Sequence, residues 1–135
     1  MKRYGQICAE VFLIFFTGAI CYYSIELLWR GYSHGAMAVL GGLCFLCLYA
    51  MGRFFPKMPM LLFCIFGGVI ITALELATGE LVNNLLKLDI WDYSNMPLNF
   101  RGQICLLFSF FWCLLSFPAA FLAKAMRTKI FGQDR

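Results

Sequence analysis

The sequence predicts an all-α membrane protein of four transmembrane helices in two helical hairpins, with a short interfacial helix and an ordered loop between the third and fourth. Three observations lead there. Of 135 residues, 62% are hydrophobic and 13% charged, against about 45–50% and 25% in ordinary soluble domains, so too little polar surface exists to cover a core in water. The apolar residues gather into four runs, each long enough to cross a bilayer of about 30 Å at 1.5 Å per residue. The cations collect in alternate connections, as the positive-inside rule requires. Four spans consume nearly the whole apolar inventory, so residues 1–135 read as a single polytopic membrane domain.

The first run, 7–29, follows Lys2 and Arg3 and ends in Glu26-Leu27-Leu28-Trp29-Arg30. It is longer than the 7–15-residue apolar stretch typical of a signal peptide, and it reads as an uncleaved helix. The second, 35–51, is the shortest and richest in glycine, closing at Gly52-Arg53. The third, 58–77, follows Pro56 and Lys57. The fourth, 104–123, precedes Lys124 and contains Pro118, which is expected to bend it.

The one long connection runs from Gly79 to Gly102. In its first part Leu81, Leu85 and Leu88 share one helical face and Asn84 and Lys87 another, the pattern of a short helix at the interface. Residues 89–102 have the composition of turns, and Trp91 and Tyr93 argue for order.

With both termini cytoplasmic, Lys2, Arg3, Arg53, Lys57, Lys124, Arg127, Lys129 and Arg135 lie inside, leaving Arg30, Lys87 and Arg101 outside. Glu26, Glu75, Glu80, Asp89 and Asp92 fall at the outer end, with Glu10 and Asp134 inside. The net charge of +4 thus conceals a basic inner face and an acidic outer one. This predicts a multi-pass protein of the cytoplasmic membrane. The basic residues form no run interleaved with aromatics, which argues against a nucleic-acid partner.

A weak internal likeness supports the two hairpins. Ile25-Glu26-Leu27 followed by Gly31 resembles Leu74-Glu75-Leu76 followed by Gly79, and the stretch from Gly41 resembles that from Gly102. A duplication would make the hairpins parallel repeats and bring Glu26 and Glu75 to equivalent depths.

Candidate chemistry concentrates at the outer end. An ionisable residue inside a span is a functional candidate by default. Glu75 is the stronger, with Thr72, Thr78 and Asn83 around it, whereas Glu26 has Arg30 at i+4 as a structural partner. Glu10 lies near Lys2 and Arg3, which favours a structural role. Trp91, Asp92 and Tyr93 supply a carboxylate between interfacial aromatics, Asn99 adds another polar group, and His34 is a candidate for the same place. Seven cysteines in or near apolar helices behave as small buried hydrophobes, and neither a disulfide framework nor a metal site is expected. No cofactor is expected either. The sequence contains no phosphate loop, nucleophile elbow or His-Glu-x-x-His helix, which weighs against an enzyme and requires a separate ATPase for any ATP-driven activity.

Thr72-Ala73-Leu74-Glu75-Leu76-Ala77-Thr78-Gly79, then Asn83, Trp91-Asp92-Tyr93-Ser94, Pro97, Asn99 and Gly102-Gln103-Ile104-Cys105, with Trp112 beyond, resemble the small bacterial membrane proteins grouped as putative ABC-transporter permeases, type IV, or CmpB-like. Many relatives carry Gly-Pro-x-x-Pro-Ile-Tyr-Gly after the first helix. Here Tyr32-Ser33-His34-Gly35-Ala36-Met37 stands instead, the mark of a divergent subgroup. The resemblance implies a permease component. Four helices can hardly enclose a path, so this reading needs a homo-oligomer or a membrane partner. Its outer mouth would be lined by Glu26, Glu75, Asp92 and His34. The alternative is an intramembrane enzyme or lipid-binding protein acting on a lipid or isoprenoid at the outer interface, with a buried carboxylate as general acid or base.

Overall fold

The computed structural model describes residues 2–31, 34–88, 91–92 and 94–130, with the side chains of 2–4 and 29–30 left aside. Four α-helices order the described residues: α1 (Lys2–Arg30), α2 (Gly35–Phe54), α3 (Met60–Gly79) and α4 (Leu106–Ala125). A minimal hairpin, β1 (Asn99–Phe100) with β2 (Ile104–Cys105), precedes α4, and wide π-helical turns at Glu80–Leu85 and Met126–Ile130 extend α3 and α4. Among the described residues four segments are long and apolar enough to cross a membrane: Gly5–Leu28, Gly35–Phe54, Met60–Leu85 and Leu106–Ile130. Large side chains such as Leu28, Leu61, Leu85 and Phe110 are openly exposed along them. In water such a surface would be an aggregation patch; in lipid it is the expected exterior. The chain is a multi-pass, all-α membrane protein.

Local chemistry sets the helix ends. His34 caps α2, its Nδ1 accepting from the Ala36 N–H at 3.0 Å. Pro59 opens α3, and its carbonyl accepts from Phe63 N at 2.9 Å. Its ring pre-sets φ where no N–H partner would exist anyway. The helical stretch after α3 runs directly on from it. The third span therefore reaches Leu85, and the helix expected at 80–88 is its continuation. The fourth helix begins two residues later than the apolar run, because Ile104 and Cys105 pair with Phe100 and Asn99. The likeness of the stretches beginning at Gly41 and Gly102 joins unlike structures, since the first lies within α2 and the second runs from a turn through β2.

The chain forms two compact units, residues 1–58 with 119–135, and residues 59–118. Pro118 lies inside α4, at the last position of the second unit.

In the first unit, α1 and α2 pack through glycines. A Cβ on Gly18 would strike Phe45 and come within 2.9 Å of the Gly41 carbonyl, and one on Gly42 would stand 2.7 Å from the Phe15 carbonyl. Such close backbone approach is how helices gain contact in lipid, where no hydrophobic force draws them together. Ile14, Phe45, Tyr49, Ala123 and Met126 make the core, and Arg53 Nη1 donates to Glu10 Oε2 at 3.1 Å.

In the second unit, Gly68 packs against Cys113, and Thr72 Oγ1 donates to Ser109 Oγ at 2.9 Å. These contacts step in opposite directions along α3 and α4, so the two segments are antiparallel.

Candidate functional site

Glu75, one turn before the end of α3, is only 1% exposed. Trp112 Nε1 donates to its Oε1 at 3.1 Å. Thr72 and Ser109 face each other at one level, so Glu75 and Trp112 are offset along the axis by roughly 9 Å at 1.5 Å per residue. Helical side chains lean toward their own N-terminus. On antiparallel helices that makes the carboxylate and the indole lean toward each other, which closes the offset. Ser116, fully buried, donates to the Trp112 carbonyl at 2.8 Å. Hydroxyls, indole and carboxylate thus form a polar seam inside an apolar helix pair.

Beyond Glu75 the π-helical turn sets up a second polar group. The wide turn buries adjacent residues, Val82 and Asn83. Asn83 Nδ2 donates to Gln103 Oε1 at 2.8 Å, Gln103 Nε2 donates to the Arg101 carbonyl at 3.0 Å, and the Gln103 carbonyl accepts from Trp91 Nε1 at 2.9 Å. Gly79 admits this assembly: a Cβ there would stand 2.9 Å from Gln103 Cβ and 3.0 Å from the Trp91 ring. The buried amides are therefore held from three directions, as buried polar groups must be.

The loop is ordered by its own side chains. Asp92 Oδ1 accepts from the Ser94 N–H at 2.9 Å. That backbone hydrogen bond, with the Ser94 hydroxyl adding to it, favours the charged form and holds the exposed carboxyl below its ordinary value. Asn99 Oδ1 accepts from Gly102 N at 3.1 Å, and its Nδ2 donates to the Met96 carbonyl at 2.8 Å. Arg101 Nε donates to Glu80 Oε1 at 2.8 Å, tying the hairpin to the π turn.

Of the residues singled out from sequence, Glu75, Asn83, Trp91, Asp92 and Asn99 all belong to the second unit. Asn83 and Trp91 meet on Gln103, while Asp92 and Asn99 shape the loop. Tyr93 lies outside the described residues. Glu26 and His34 belong to the first unit. Glu26, 8% exposed, accepts from the Tyr22 hydroxyl at 3.0 Å, and His34 has a capping role in α2. Sequence reasoning passed over Ser109, and met Gln103 and Trp112 only through the resemblance. The signal for Gln103 was a lone amide beside the glycine that precedes the last apolar run. Among the described residues no group of three or more His, Cys, Asp or Glu could hold a metal ion, and none of the seven cysteines is in a disulfide.

The family model described as Putative ABC-transporter type IV matches residues 13–133. The chain belongs to that family. The type IV match takes in Glu26, His34 and the polar groups from Thr72 to Ser116, so the likeness read from Thr72 to Trp112 extends into the first hairpin as well. Comparison with curated proteins and with solved structures returns no match. As a multi-pass member of a transporter family, the type IV chain is a membrane transport component.

Proposed function

We propose that the chain is the membrane subunit of a transport system in which Glu75 is the carboxylate of the solute path. One observation carries the reading: a glutamate inside a span, 1% exposed and held by an indole donor at 3.1 Å. A charge at such a place is costly, and intramembrane carboxylates mark solute or proton routes. The charge pattern of the sequence supports an outward-facing acidic end that includes Asp92 in the loop, with both termini in the cytoplasm. An acidic mouth favours cations or protonatable solutes. Four spans are too few to enclose a path alone, so the working unit is a homo-oligomer or includes a membrane partner. The sequence holds no phosphate-binding loop, so ATP hydrolysis belongs to a separate subunit.

Glu75→Gln keeps the oxygen that accepts from Trp112 and removes the charge. Expressed in deletion cells, it should fold in normal yield and fail to restore the wild-type phenotype. Lost yield with retained phenotype per folded molecule would make Glu75 a structural residue. Cross-linking in native membranes should recover oligomers or a partner, and recovery of monomers alone would end the transport reading.

A further inference from the structure

We propose that Arg127 anchors an oxyanion site that takes the phosphate group of a membrane phospholipid. Arg127 lies in the π-helical turn after α4 and is 5% exposed, and its Nε and Nη1 are buried without a hydrogen-bond acceptor. Its guanidinium carbon stands 5.8 Å from the centre of the Tyr49 ring. An aromatic face attracts a cation but satisfies none of its N–H groups. Leaving such donors unmade is among the costlier features a fold can carry. The nearby cation, Arg53, already holds Glu10 at 3.1 Å.

The backbone supplies a second, independent observation. In an α-helix adjacent side chains diverge by about 100°, and the wider turn brings Met126 and Arg127 inward together. Met126 completes the core with Ile14, Phe45, Tyr49 and Ala123, so apolar packing alone accounts for Met126 but not for its neighbour.

Depth identifies the anion. Arg127 lies three residues before the end of the candidate span Leu106–Ile130, at the boundary between hydrocarbon and headgroups. It therefore sits where lipid phosphates lie. A planar guanidinium matches phosphate oxygens in pairs. Exposed Lys124 and Lys129 flank it in sequence and favour an anionic headgroup. Arg127 keeps 5% exposure, so taking a phosphate requires the guanidinium to turn outward.

The test uses the full chain in detergent, with native mass spectrometry and thermal melting against phosphatidylglycerol, diacylglycerol and inorganic phosphate. Wild type should retain phosphatidylglycerol and melt higher with it, and show neither effect with diacylglycerol. Arg127→Met should bind at least about tenfold more weakly, the loss of one or more charge-assisted hydrogen bonds. Should that variant not fold, Arg127→Gln, which removes the charge and keeps a polar side chain, carries the test, and full retention of lipid by it would overturn the site. Equal protection by inorganic phosphate would overturn the lipid assignment in favour of a free phosphate. A protein that co-purifies through Arg127, with no lipid effect, would overturn it in favour of a partner. Glu75→Gln should leave lipid retention unchanged, so this result and the transport reading stand or fall separately.

Discussion

Glu75 and Trp112 show how a carboxylate persists inside an apolar pair of helices: the donor comes from the facing helix, roughly 9 Å deeper at 1.5 Å per residue. Trp112→Phe keeps the ring and removes the N–H. It should lower stability by about 1–3 kcal/mol, the cost of removing a donor from a buried acceptor. Melting of the purified protein measures it, and with Glu75→Gln also present the loss should shrink. Asp92 gives a pH-dependent counterpart outside the membrane. Its carboxyl is held below the ordinary 3.8 by the Ser94 N–H. Its contribution to loop order is therefore complete above that value and disappears as pH falls through the lowered one. Trp91 emission should stay constant from neutral pH to about 5 and change only in strong acid. In Asp92→Asn, which keeps an acceptor without a titrating charge, the acid change should diminish. Glu75 was legible because an acid in an apolar run stands out. His34 was legible only as a histidine, since capping depends on the backbone turn that follows it. Arg127 read as an ordinary inner cation, because nothing in a one-residue view shows that its turn of helix is wide.

Among elements, glycine contacts carry the packing, and they are open to substitution. Gly68→Ala would set a methyl against Cys113 and its backbone. Folded yield should fall, and Cys113→Ala in the same chain should restore part of it by removing the sulfur. Gly102 (φ +74) follows Arg101 (φ +56), and Gln103 N donates to the Phe100 carbonyl at 3.1 Å. Two consecutive left-handed residues are what a tight hairpin turn of the type I′ kind demands. Gly102→Ala should destabilise the protein by about 1–2 kcal/mol through that backbone conformation, and chemical denaturation in detergent measures it. The four spans were readable because twenty-residue apolar runs admit few other structures in lipid. The hairpin was not. Ile104 and Cys105 are apolar in either conformation, and two residues show no periodicity.

For the molecule as a whole, charge and hydropathy were the legible properties, and the positions of polar contacts were not, because they depend on which helix faces which. The inner excess of Lys and Arg makes a topological prediction. A fluorescent protein fused after Arg135 should light up, alkaline phosphatase at the same place should be inactive, and phosphatase inserted at Asn95 should be active. The opposite pattern would reverse the assignment of the acidic end. The π-helical turn at Glu80–Leu85 has a consequence for related sequences. A wide turn is an α-helix that has taken in one surplus residue. A relative shorter by one position there would continue as plain α-helix, and everything after the gap would be rotated by about 100°. Its counterpart of Asn83 would then point away from Gln103. A single-residue deletion in that stretch should therefore be accompanied by the loss of one or both amides, so the length of the turn and the identity of the pair should be inherited together.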